Sequence, residues 1–586
     1  MRFTRRTYRF LATSAAIALL TLAAAACGDA GDDDDAAAPA PPAATQAAAE
    51  DRYEEKAAAT AAPAYEAAAA ATEAAAAEHS SSSAQRVRSS SQAASASESA
   101  PPPERPAPPD TTFRNYGRTP FVKADTDAVS TFSLDTDRTS YFLALTWAQN
   151  GYTVEPDSVR AEEWVNAFDY GYDLPDRDDS FAITTDVVGH PLGGGRHLAR
   201  IAFQAPNVRD DVPLNVTLVL DASGSMADGN RVAIAREAAE AIRQSLGEDD
   251  RIAVVHFTTN VIHDYTVRHS QPDDRDVARS IERLAPHNST NVQAGLDLGV
   301  RLADDARRDR PGSYNYIILM SDGVANVDAT NPFAILDSSP DGDSRNPLRL
   351  ITIGVGINNY NDYLLEQLAQ HGNGWYRYLD DTRQARETFS RQNWLALSTP
   401  FADQARAQVT WDPALVSSWR IVGYENRITP DHTFAQNRKE FAELPSGAAT
   451  TVFYELVLHR EAGGRSAALG DVEVRWVDPS SGDTYRQQSR VAGDTNAPFD
   501  AGDRNLRFGA IVALAADRYS VLSVAHESTK IDIDGLTADM TALRAELDSL
   551  YERMGALQSY QDFSFLLERM TARVAELGPG SSGYSQ

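Results

Sequence analysis

Cysteine is nearly missing from this chain. Cys27 is the one cysteine in 586 residues, which excludes an intramolecular disulfide. Lysine is almost as scarce, with only Lys56, Lys123, Lys439 and Lys530, and Lys+Arg 54 is outweighed by Asp+Glu 83. The net charge of −29 argues against a nucleic-acid partner, because a phosphate backbone needs a basic surface. It favours solubility and the accumulation of cations instead. Beyond the N-terminus no apolar run approaches the roughly 18 residues needed to span a bilayer. Several catalytic signatures are missing too. There is no Gly-x-Ser-x-Gly elbow, no His-Glu-x-x-His helix and no Gly-x4-Gly-Lys phosphate loop. No histidine stands beside a candidate serine nucleophile in the sequence. The expectation is a protein that is not an enzyme and has no small-molecule substrate.

What is present begins at the N-terminus. Arg2, Arg5, Arg6 and Arg9 precede an apolar stretch from Phe10 to Ala26, and Cys27 follows it. Residues 1–26 read as a signal peptide. Ala24-Ala25-Ala26-Cys27 resembles a bacterial lipobox, with the leucine at Leu22 rather than three places before the cysteine. The resemblance implies that Cys27 is lipidated and that the chain is anchored to a membrane of the bacterial cell envelope. Residues 27–112 are rich in Ala, Pro, Ser and Asp, and their alanine-dominated apolar content cannot offset ordering entropy. They read as a disordered linker with a root-mean-square reach of about 50 Å.

The folded part starts near Phe113. Residues 113–180 read as helical, with a capped entry at Ser133-Leu-Asp-Thr-Asp leading into an amphipathic helix through Trp147, and a second helix over Val159–Phe168. Residues 181–212 supply two alternating strands. Over residues 213–393 near-continuous apolar strands alternate with helices. Leu214–Leu220, Arg251–Phe257, Tyr316–Met320 and Leu348–Val355 are the main strands, and Arg231–Leu246, Val292–Arg307 and Tyr363–His371 the main helices. This pattern means a doubly wound, Rossmann-like parallel sheet covered on both faces. Residues 394–495 return to short strands and read as a β-sandwich-like domain. Residues 496–586 are helical, with leucines 543, 547 and 550 on one face. Because strands precede and follow the α/β block, the expected architecture is an α/β domain inserted in a β domain.

Ligands of such sheets bind beyond the carboxyl ends of the strands. There the strand Leu214–Leu220 runs into Asp221-Ala-Ser-Gly-Ser, which offers one carboxylate, Asp221, and two hydroxyls, Ser223 and Ser225. The strand ending at Met320 delivers Asp322 to the same edge, and the loop His287-Asn-Ser-Thr-Asn adds the Thr290 hydroxyl. All are hard oxygen ligands suited to a hard cation. The set Asp221, Ser223, Ser225, Thr290 and Asp322 resembles the metal-ion-dependent adhesion site of von Willebrand factor type A domains. That resemblance implies Mg²⁺, with Mn²⁺ or Ca²⁺ as alternatives, held directly by the two serines and the threonine and through water by the aspartates. It also implies an open position that attracts a carboxylate from a partner. Relatives carry glycines where this chain has His287 and Asn288, and asparagine tolerates the left-handed backbone such a loop uses.

The resemblance reaches beyond the α/β block. Phe132-Ser-Leu-Asp-Thr-Asp-Arg-Thr-Ser-Tyr and Val159-Arg-Ala-Glu-Glu-Trp-Val-Asn-Ala-Phe-Asp-Tyr look like the N-terminal region of YfbK-like bacterial lipoproteins. Trp419-Arg-Ile-Val-Gly-Tyr-Glu-Asn-Arg and Phe453-Tyr-Glu-Leu are similar to their C-terminal region. The expected function is a membrane-anchored, divalent-metal-dependent module that binds a protein ligand presenting an acidic residue. A metal-dependent hydrolase and a structural envelope protein with a purely stabilising metal are the alternatives.

Overall fold

The computed structural model describes residue 106 and residues 113–578, except 115, 135, 208–211, 288, 324–334, 337–346, 357–360, 437–440, 461–466 and 527–530. The signal peptide, Cys27, the linker, Asp135 and Asn288 lie outside the described residues. Two short strands, β1 (Val122–Lys123) and β2 (Val129–Ser133), precede helices α1 (Thr139–Gln149) and α2 (Ala161–Asn166) and strands β3 (Ala182–Gly189) and β4 (Arg196–Gln204). An alternating block follows: β5 (Leu214–Asp221), α3 (Arg231–Ser245), β6 (Arg251–Phe257), β7 (Val267–Ser270), α4 (Arg275–Glu282), α5 (Val292–Asp309) and β8 (Tyr314–Ser321). It continues with β9 (Leu348–Val355), α6 (Asp362–His371), β10 (Tyr376–Leu379), α7 (Thr382–Thr388) and α8 (Arg391–Ser398). Strands β11 (Pro400–Trp411), β12 (Val416–Val422), β13 (Ala442–Pro445), β14 (Ala449–Leu458), β15 (Ala467–Val477) and β16 (Thr484–Gly493) come next. Helices α9 (Arg504–Ser520), α10 (Ile533–Asp548), α11 (Tyr551–Met554) and α12 (Gln558–Glu576) complete the described chain.

The alternating block forms a six-stranded sheet in the order β10-β9-β8-β5-β6-β7. Strand β5 pairs in parallel with β6 on one side and β8 on the other, so the direction of winding reverses at β5. Its side chains are buried on both faces. Val216, Leu218 and Leu220 meet Ile234, Ala238 and Ile242 of α3, while Val219 meets Leu296 and Val300 of α5. Helix α5 lies close to the sheet because it presents glycines there. A Cβ on Gly299 would stand 2.6 Å from Val219 Cγ2, and one on Gly295 would stand 2.5 Å from the Phe257 ring. The sheet departs from the expected parallel one at its edge, where β7 runs antiparallel to β6.

Strands on either side of the block in sequence pair with each other. One sheet has the order β1-β12-β14-β4-β3; the other has β13-β11-β15-β16, with β2 also paired to β11. β4, before the block, pairs antiparallel with β14, after it, from Ala449↔Gln204 to Val457↔Arg196. The two sheets share one core, in which Ile201, Ile421 and Tyr454 meet Val409, Val472 and Val474. The α/β block is therefore an insertion within a β body. The N-terminal region, expected to be helical, also contributes β1 and β2 to that body.

Helix α1 differs from expectation. It is not a surface amphipathic helix. Leu143 and Trp147 pack on the α/β sheet, while Tyr141, Ala144 and Ala148 join the core of α2, α9, α10 and α12. Buried on nearly every side, it can be apolar all round. A cluster of buried charge stands beside it. Arg160, just before α2, donates to Asp362 Oδ2 of α6 at 2.6 Å and to Glu163, and Tyr376 Oη donates to Asp362 Oδ1 at 2.9 Å. Arg427 pairs with Asp137 of the body at 2.9 Å and reaches Glu366 of α6 at 3.7 Å. These contacts tie the block to the body. No helix among the described residues is long and apolar enough to cross a membrane.

Candidate metal centre

Three loops converge at the carboxyl end of β5. The first leaves β5 at Asp221. Its backbone turns so that Ser223 N–H donates to Asp221 Oδ1 at 2.8 Å, and the Ser223 and Ser225 hydroxyls come within 3.2 Å of each other. The second precedes α5. His287 N–H donates to the Ala222 carbonyl, and Asn291 N–H donates to the Thr258 carbonyl beyond β6. Asn291 also caps α5 by accepting from Ala294 N–H at 2.9 Å. Pinned at both ends, this loop holds Thr290 buried at the same edge of the sheet. The third follows β8, whose Met320 is opposite Leu220, so Ser321 and Asp322 fall beside Asp221. Gly323 takes φ +78°, and a Cβ there would stand 2.7 Å from the Asn361 carbonyl, so the turn after Asp322 requires glycine.

Asp221, Ser223, Thr290 and Asp322 are buried, and Ser225 is half-buried at the mouth. Asp221 has both oxygens engaged, since Ser321 Oγ donates to its Oδ2 at 2.6 Å. Burial, and then the nearby Asp322 carboxylate, push the Asp221 carboxyl up to about 7, against the stabilising bonds from Ser321 and Ser223. Two carboxylates are thus held close together out of water, a costly arrangement that a cation would relieve.

The donor set fits a hard divalent ion. Every candidate ligand is oxygen. In octahedral ligation at about 2.0–2.1 Å, adjacent oxygens stand about 2.9 Å apart, close to the serine separation. Among the described residues no three His, Cys, Asp or Glu side chains are grouped to hold a metal, so a cation here would depend on the hydroxyls and on water.

Two residues of this edge escape sequence reasoning. Ser321 looks like one more polar residue before Asp322, yet its hydroxyl fixes Asp221 and accepts from Gly323 N–H at 3.0 Å. Arg231 opens α3 and is fully buried, donating to Asp322 Oδ2 at 2.8 Å and to the Ser225 carbonyl at 2.6 Å. A cation at a helix N-terminus opposes the helix dipole, and that was the available signal. His256, on β6, is also buried. Its Nε2 meets Ser280 Oγ at 3.0 Å, and that hydroxyl in turn donates to the Tyr265 carbonyl. His287 is exposed and enters the edge through its backbone alone in the contacts described.

Comparison with known proteins places this edge in a wider context. Residues 108–200 match the family described as von Willebrand factor, residues 215–391 the von Willebrand factor type A domain, and residues 397–555 the C-terminal region of uncharacterized protein YfbK. The chain is 26% identical over 434 residues to uncharacterized protein YfbK of Escherichia coli (strain K12), covering 69% of this chain and 73% of that one. It is 30% identical over 305 residues to uncharacterized protein sll0103 of Synechocystis sp., covering 50% of this chain and 69% of that one. Among solved structures, a von Willebrand factor type A protein from Catenulispora acidiphila aligns with a TM-score of 0.41 and 15% identity, over 67% of this chain and 91% of that one. All five candidate ligands fall within 215–391.

Proposed function

The chain belongs to the YfbK-like family of von Willebrand factor type A domain proteins, and from that premise we propose that it is a divalent-metal-dependent protein-binding module. The observation that carries the reading is the pair of serine hydroxyls 3.2 Å apart beside two buried carboxylates at the winding reversal of the sheet. Ser223, Ser225 and Thr290 are the residues that would hold Mg²⁺, Mn²⁺ or Ca²⁺, with Asp221 and Asp322 orienting them and water. When bound, such an ion supplies a Lewis-acidic position for a carboxylate oxygen of a partner protein. Neutral hydroxyls suit that use, because they leave most of the ion's charge for the ligand. Half-buried Ser225 stands where a partner could reach, and the buried residues behind it keep water from the rear of the site.

We place the module on the bacterial cell envelope, tethered through a lipid on Cys27 and the linker after it. Replacing Cys27→Ser is expected to move the protein from the membrane fraction to the soluble one, and an unchanged membrane fraction would contradict the anchor. For the binding reading, the test is capture of envelope proteins in Mg²⁺ by wild type and Asp221→Ala. Capture should disappear with EDTA and in the variant while the variant still melts cooperatively. The same proteins retained under all conditions would overturn the reading.

A further inference from the structure

Arg231 is the unexpected member of this edge. Its side chain is only 2% exposed, and a single nitrogen, Nη1, reaches both Asp322 Oδ2 and the Ser225 carbonyl. The stem crosses the end of β9 over Gly356, where a Cβ would stand 2.2 Å from Arg231 Nε. Gly356 itself has φ +95°. A buried guanidinium is expensive to desolvate, and at the first position of a helix it also opposes the dipole. Among the contacts described, those that offset these costs run to the Asp322 carboxylate and to the Ser225 carbonyl.

We propose that Arg231 sets how tightly the site holds a divalent cation, acting as a built-in counter-charge that shares Asp322 with the ion. The proposal rests on the metal-binding reading above. Asp221 and Asp322 alone would give the site two negative charges, and Arg231 reduces this to one. A divalent ion then leaves a net positive centre at the mouth beside Ser225, which favours an anionic partner group. The same charge weakens retention of the ion. Arg231 is a positioning and charge-setting residue rather than a ligand.

The sign of the effect separates this role from a merely structural one. Loss of a strut under Ser225 and Asp322 would weaken metal binding, whereas loss of a competing charge strengthens it. The test is titration of the full chain with Mn²⁺, following the free ion by electron paramagnetic resonance, for wild type, Arg231→Gln and Arg231→Lys. Arg231→Gln is expected to tighten the apparent Kd by about tenfold or more, because a full charge is removed next to a divalent ion in a poorly solvated site. Arg231→Lys keeps the charge and is expected to stay within a few-fold of wild type. It also serves if the glutamine variant does not fold, since weaker binding by the lysine variant than about tenfold below wild type would mean that geometry, not charge, is what Arg231 provides. Equal or weaker binding by Arg231→Gln with normal binding by wild type overturns this proposal alone. No binding by any of the proteins overturns the metal reading and this proposal together.

Discussion

Asp221 shows how a single residue divides its work. One oxygen accepts from Ser223 N–H and shapes the turn, and the other accepts from Ser321 Oγ and joins β5 to the end of β8. A carboxylate so occupied is placed to orient the hydroxyls, and contact through water is the role that the family resemblance implies for it. Ser321→Ala should therefore cost about 1–3 kcal/mol in chemical denaturation, by leaving a buried carboxylate oxygen and the Gly323 N–H short of a partner. The five candidate ligands could be picked out in the sequence because four stand at turns that follow apolar strands and Thr290 stands in the loop that opens α5. Ser321 and Arg231 could not, because their roles depend on strand register and on a side chain crossing the sheet. His256 gives a pH prediction at the same scale. Burial lowers it from 6.5 to about 4, so the unfolded chain takes up a proton that the folded one refuses. Its contribution is complete above pH 6.5 and is lost as pH falls toward 4, at up to about 1.4 kcal/mol per pH unit. Urea unfolding at pH 7 and 5 should show a smaller acid loss in His256→Gln than in wild type.

At the scale of elements, the sequence reveals what is apolar and continuous and hides what is polar and at an edge. β5, β8 and β9 stood out as buried runs. β16 reads Thr-Tyr-Arg-Gln-Gln-Ser-Arg-Val and among the described residues pairs with β15 alone, so its exposed face carries no hydrophobic signal. β7 is a four-residue edge strand, and α4 buries only Val277, Ser280 and Ile281 of its eight residues. α1 failed differently: its buried surroundings removed the polar face that the expected amphipathic pattern needs. The buried charges beside it give a direct test. Arg160→Met would leave Asp362 and Glu163 without their cation, and a loss of about 3–5 kcal/mol in urea unfolding is expected.

For the molecule as a whole, the insertion has a physical consequence. The α/β block does not merely hang from the β body, because Leu143 and Trp147 of α1 complete its core and Asp362 of α6 shares its charge with Arg160. Asn361, which caps α6, also donates its N–H to the Asp322 carbonyl at 3.2 Å, so the element that meets the body touches the candidate site. Trp147→Ala should accordingly speed amide hydrogen exchange in β9 and β10 of the block as well as in α1, with a stability loss of about 3–5 kcal/mol. Faster exchange confined to α1 would mean that the block keeps its core without it.

The central claim is that this sheet edge is a cation site, and calorimetric titration of the full chain with Mg²⁺ tests it most directly. The account predicts saturable one-site binding in wild type, and none in Asp221→Asn, with the metal-free variant at least as stable because the repulsion between Asp221 and Asp322 is gone. Absence of binding in wild type, or equal binding in the variant, would contradict it.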